Sequence, residues 1–113
     1  MEQVPARDVP SRLQAQQAAG QQPVLLDVRE PWEVALARPQ GEPLPLRCIP
    51  MQQVPGRLAE LDTGQPVWVL CHHGMRSAQV GLFLEHHGFE QVFNVAGGID
   101  AWAADVDPSV PRY

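Results

Sequence analysis

Of the two cysteines in this 113-residue chain, Cys48 and Cys71, Cys71 stands where a thiol could react. It follows the apolar run Val67-Trp68-Val69-Leu70 and precedes His72, His73, Gly74, Met75, Arg76 and Ser77. A strand, a short loop and a helix start would aim loop amides and the positive helix end at the sulfur. Such surroundings favour the thiolate over the thiol, and the thiolate is the nucleophile. Gly74 can adopt positive φ and help several N–H groups point inward. Arg76 adds a planar set of donors for an anionic group. A cation at a helix start opposes the helix dipole, so Arg76 is expected to face a bound anion.

A thiolate among amides suits two chemistries: attack on a phosphoryl group or attack on a sulfane sulfur. Four residues separate Cys71 from Arg76, one fewer than in cysteine-dependent phosphatases. The shorter cradle has room for one terminal sulfur rather than a tetrahedral phosphate, which favours sulfur transfer. Phosphatase or arsenate reductase chemistry is the lesser alternative. His72 and His73 could shape the pocket, donate to an anion or shuttle a proton. They could equally be exposed loop side chains whose backbone does the work, and the sequence leaves both open. His86 and His87 lie across a helix of about ten residues, roughly 15 Å away, so one metal ion could not bridge the pairs. No metal site is expected. Cys48 has no loop or helix start beside it and is expected to be a packed thiol, with a part in resolving a persulfide left open.

The elements that must position this loop are legible as short apolar runs. Residues 24–28, 67–70 and 91–95 read as strands bounded by turn formers. A weaker strand crosses residues 44–49, which contain Pro45 and are flanked by Pro43 and Pro50. Helical patterns run from Pro10-Ser11 to Gly20, from Pro55 to Leu61, from Ser77 to His87 with Gly88 as the stop, and from Ile99 to Ala104. Strands apolar on both faces, alternating with helices, predict an α/β layered sandwich. Ligands of such sheets sit beyond the carboxyl ends of the strands, where residues 71–77 and Asp27-Val28-Arg29-Glu30 both fall. Gly97-Gly98 is expected to make a tight turn, and Trp32, Trp68 and Trp102 to pack in the core or at the domain edge.

The length fits one domain over residues 1–113, with a core of about 4–104 and a short tail of 105–113. A net charge of −5 argues against nucleic acid or anionic membranes as general partners. No apolar run approaches the roughly 20 residues of a membrane span. Met1-Glu2-Gln3-Val4-Pro5 has no basic start and no apolar core after it, unlike a secretory leader. The cytoplasm is the expected location, with both cysteines as free thiols.

Three segments in order carry a resemblance to the rhodanese family over about residues 4–104. They are Leu26-Asp27-Val28-Arg29-Glu30, the Cys-x-x-Gly-x-Arg-Ser loop at 71–77, and Val95-Ala96-Gly97-Gly98-Ile99 with Trp102 following. The resemblance implies a rhodanese-like three-layer sandwich: about five strands, largely parallel, with helices on both faces. It implies that Cys71 cycles between thiol and persulfide, with the substrate contacted at His72, His73, Gly74, Met75, Arg76 and Ser77. Asp27 and Arg29 would brace the site. The expected partners are a small anionic sulfur donor such as thiosulfate and an acceptor such as cyanide or a thiol, without a metal or organic cofactor. A sulfur relay or regulatory module, served by a protein donor or acceptor, is the second expectation. Segment 37–46 departs from the family pattern: the usual histidine and Gly-Ala pair are missing, and only Ile49-Pro50 resembles its end.

Overall fold

The computed structural model describes residues 1–39 and 45–113. Gln40, Gly41, Glu42, Pro43 and Leu44, which hold much of the atypical segment and the first residue of the weak strand, lie outside the described residues. Five parallel strands form one sheet: β1 (Glu2–Pro5), β2 (Val24–Asp27), β3 (Leu46–Cys48), β4 (Val67–Leu70) and β5 (Val92–Ala96), in the order β1-β5-β4-β2-β3. The α-helices are α1 (Val9–Ala18), α2 (Pro31–Leu36), α3 (Met75–His86) and α4 (Gly98–Asp105).

Side chains alternate across a strand, so each strand feeds two cores. Leu25, Trp68, Leu70 and Val95 meet Val9 and Leu13 of α1 and Ile99, Trp102 and Ala103 of α4. On the other face Val24, Leu26, Val67 and Val69 meet Val80 and Leu84 of α3, together with Ile49, Val54 and Leu61. The expected sandwich, with both faces covered, is the observed one. Trp68 is fully buried, and its indole N–H donates to Gln16 Oε1 at 2.8 Å. Val110 joins the first core, so the segment after α4 packs on the domain.

Several local expectations need correction. β1 was not anticipated; its four residues include two polar ones, and it gains its place by pairing with β5 from Glu2↔Phe93 to Pro5↔Ala96. Nor was α2, although Pro31 at the first helical position and Glu33 in the first turn are ordinary start signals. Residues 55–60 form a 3-10 turn with a non-helical Arg57 rather than an α-helix. α3 begins at Met75, two residues before Ser77. Trp32 is 61% exposed rather than packed.

The topology places the site. β2 and β4 are neighbours, but the chain leaves β2 toward β3 and leaves β4 toward β5, on opposite sides. The loops after them therefore diverge at this switch point, the preferred ligand position of open parallel sheets.

Candidate active site

Cys71 directly follows β4 with its side chain on the α3 face, and it is 1% exposed. The Gly74 N–H donates to its Sγ at 3.0 Å, and Ser77 Oγ lies 3.2 Å from the same sulfur. Gly74 has φ of +106° and caps α3. A Cβ there would press on the Gly97 amide nitrogen at 3.3 Å, so both backbone geometry and space call for glycine. The left-handed residue is what turns the Gly74 amide back onto the thiol.

Asn94 of β5, 2% exposed, ties this arrangement down. Its Oδ1 accepts the Ser77 hydroxyl, and its Nδ2 donates to the Gly74 carbonyl at 3.1 Å and to Gln3 Oε1 at 2.8 Å. The loop glycine and the helix serine, the two hydrogen-bonding neighbours of the Cys71 sulfur, are thus held by one amide side chain. Sequence reading missed Asn94; a lone polar residue in a strand covered on both faces was the available signal.

The Gly97-Gly98 turn does more than redirect the chain. The amides of Ile99 and Asp100 donate to the carbonyls of Cys71 and His72 at 2.8 and 3.1 Å. A Cβ on Gly98 would overlap those same two carbonyl groups. The start of α4 therefore clamps the loop through backbone contacts that only glycine permits.

Asp27 and Arg29 form a buried ion pair at the end of β2, each side chain 0% exposed. All five guanidinium N–H groups are used: Nε and Nη2 reach Asp27, Nη2 also reaches the Ala37 carbonyl, and Nη1 reaches the Glu33 carbonyl and the Tyr113 hydroxyl. This ties β2, α2 and Tyr113 into one frame.

Arg76 has a different partner from the one expected. Its two terminal nitrogens donate to the two oxygens of Glu33 at 2.9 and 2.8 Å. The anion that offsets its position at the helix start is a carboxylate of the protein itself. Glu33 is buried, which raises its carboxyl, yet hydrogen bonds from Arg76 and Tyr113 and the charges of Arg76 and Arg29 outweigh burial and hold it below its ordinary range. The Glu33–Arg76 hydrogen bond is in turn the largest effect holding Arg76 protonated.

His72 and His73 stack on each other with ring centroids 3.9 Å apart, and Tyr113 stacks on His72 at the same separation. His73 is exposed, and its Nδ1 lies 4.0 Å from Asp100. Nε2 of His72 is buried with no hydrogen-bond partner among the described residues. Met75 is 78% exposed. Cys48 is exposed, not packed as expected. It pairs with Asp27, which pairs with Leu70, so two strand spacings, roughly 10 Å, separate Cys48 from the Cys71 loop. A disulfide needs Cα atoms within about 7 Å, so Cys48 cannot resolve Cys71 in this conformation.

A buried strand-end thiol, an inward loop amide and a glycine clamp in an α/β domain form an arrangement that could support a cysteine nucleophile. The profile of the rhodanese-like domain matches residues 9–105, and the chain belongs to that family. It is 35% identical over 97 residues to a sulfurtransferase of Allochromatium vinosum, covering 85% of this chain and 87% of that protein. Identity to the Rhodanese-like/PpiC domain-containing protein 12, chloroplastic, of Arabidopsis thaliana is 39% over 93 residues. That match covers 79% of this chain but only 30% of the longer Arabidopsis protein. The crystal structure of a rhodanese-related protein from Thermoplasma volcanium superposes with a TM-score of 0.77 at 26% identity, covering 100% of both chains.

Proposed function

We propose that the chain transfers sulfane sulfur through a persulfide on Cys71. The Cys71 thiolate attacks the outer sulfur of a donor, of which thiosulfate is the simplest. The donor's S–S bond breaks, and sulfite leaves with the electron pair. An acceptor nucleophile, cyanide or a thiolate, then attacks the outer sulfur of the persulfide. The Cys71–sulfur bond breaks and its electron pair returns to Cys71 as thiolate.

The observation that carries this reading is the Gly74 N–H directed at Cys71 Sγ from 3.0 Å in a loop braced by Ser77 and Asn94. Donors fixed before reaction stabilise negative sulfur without reorganising during it. Residues 72–77 would cradle the outer sulfur, with Asp27 and Arg29 bracing the neighbouring end of β2. The reading places this chemistry in the cytoplasm, where thiols stay reduced. No helix among the described residues is long and apolar enough to cross a membrane.

Intact mass after incubating the reduced protein with a sulfane donor tests the proposal. One added sulfur, about 32 Da, lost on adding cyanide and absent in Cys71→Ser, is the expected result. Sulfur uptake by Cys71→Ser at the wild-type level would overturn it.

A further inference from the structure

The charges around the cradle bear on which donor it takes, a question that rests on the sulfur-transfer reading above. Arg76 is the single arginine of residues 71–77, and the chain has no lysine. Both terminal nitrogens of Arg76 are engaged by Glu33. Glu33 is not a casual surface partner: its side chain is 7% exposed, and its Oε2 also accepts the Tyr113 hydroxyl at 3.0 Å. Arg29 spends every N–H inside the protein. On the other side of the loop, His73 faces Asp100, which is itself bound by Arg112. Arg29, Arg76 and Arg112 are thus each matched by a carboxylate.

A dianion such as thiosulfate would enter a neutral cradle with the buried Glu33 carboxylate beside its cation. Like charges in a partly dry site repel strongly. A persulfide brings its transferable sulfur with at most one charge. The accessible side of the site also suits an organic tail: Met75 is exposed, and Trp32 lies edge-on to Tyr113, whose ring stacks on His72.

We propose that the Glu33–Arg76 pair makes the site select low-charge sulfane donors, organic persulfides, against dianionic thiosulfate. In the loading step the Cys71 thiolate attacks the outer sulfur of R–S–S–H. The bond between the two donor sulfurs breaks, and R–S⁻ leaves with the electron pair. Cys71 is left carrying –S–SH, so atoms and charge balance without an oxidant or reductant.

The test measures single-turnover loading of Cys71 by intact mass, with thiosulfate and with 2-hydroxyethyl persulfide, in wild type and Glu33→Gln. The variant is expected to raise the thiosulfate rate relative to the persulfide rate roughly tenfold, as removal of one nearby like charge predicts. An unchanged or lowered ratio overturns the proposal. Salt dependence of the wild type gives a second reading that needs no variant. Screening a repulsive encounter should speed thiosulfate loading as ionic strength rises, whereas an attractive one slows with salt. A thiosulfate rate that falls with salt contradicts the proposal. If neither donor loads Cys71, the sulfur-transfer reading itself fails.

Discussion

Cys71 and Cys48 both stand at the carboxyl ends of parallel strands in the same sheet, and almost everything else about them differs. After β4 the chain turns through a left-handed glycine into a twelve-residue helix, and the turn brings an amide onto the sulfur. After β3 it passes through Ile49 and Pro50, which has no N–H, into a three-residue 3-10 turn. Cys71 is buried with donors; Cys48 is exposed without a comparable cradle. Although Cys48 is exposed, desolvation of its sulfur, followed by the charge of Asp27, raises the thiol above its ordinary range despite Arg38 and Arg29. A strand end thus supplies a location, while the reactive setting comes from the backbone that follows it. The more accessible sulfur is not the better placed one.

The largest expected effect comes from exchanging the thiols for hydroxyls. Cys71→Ser should lower sulfur transfer by at least about 10³-fold, since the nucleophile is lost. Cys48→Ser should keep activity within about twofold, because the thiol lies two strands away. Steady-state turnover with a persulfide donor checks both, and a comparable loss in the two variants would erase the distinction.

Next comes the clamp. Gly98→Ala would drive a Cβ into the Cys71 and His72 carbonyls at a φ of +60°. Backbone strain and overpacking together should cost about 2–4 kcal/mol and reduce turnover more than tenfold. Urea unfolding beside the activity assay measures the two effects. A stable and fully active Gly98→Ala would show that the loop does not depend on α4.

Ser77→Ala sharpens the comparison at smaller scale. It removes one neighbour of the Cys71 sulfur and leaves Asn94 Oδ1 buried without the Ser77 hydroxyl. An unsatisfied buried acceptor costs about 1–3 kcal/mol. A matching drop in unfolding free energy, with turnover several-fold lower, is expected; Asn94→Ala should reproduce it if the two residues act together.

The smallest effect is a pH dependence from Glu33. Its folded carboxyl lies below the ordinary value of 4.5, so its stabilising contribution is present above that value. The contribution is lost as pH falls through the depressed folded value. Wild type should exceed Glu33→Gln by about 1 kcal/mol near neutral pH, given an Arg76 partner that is 34% exposed. Chemical denaturation from neutral pH down to pH 3 should show the gap closing. A gap that widens on acidification would contradict the pairing.

The candidate loop was legible in the sequence because its geometry is local. A strand end, a glycine and a helix start within seven residues determine where a thiol sits. The sheet was legible for the same reason: β2, β4 and β5 are apolar runs between turn formers. Glu33, Asn94 and Tyr113 were hidden because their roles exist only across the fold. Glu33 meets Arg76 from forty-three residues away, and nothing local distinguishes it from Glu30. Asn94 read as one member of an apolar strand, and Tyr113 as part of a tail. Arg76 shows the same limit from the other side: its need for an anion was legible, and the identity of that anion was not. β1 escaped notice because its stability comes from pairing with β5 rather than from its own pattern.

The most direct test is to locate the transferred sulfur. Reduced protein should be loaded with a persulfide donor, blocked, digested and sequenced by mass spectrometry, with the Cys71 and Cys48 peptides compared in one sample. The account predicts the added mass of about 32 Da on the Cys71 peptide, removable by cyanide, with Cys48 unmodified by sulfur. Sulfur found chiefly on Cys48, or shared equally between the two, would contradict it.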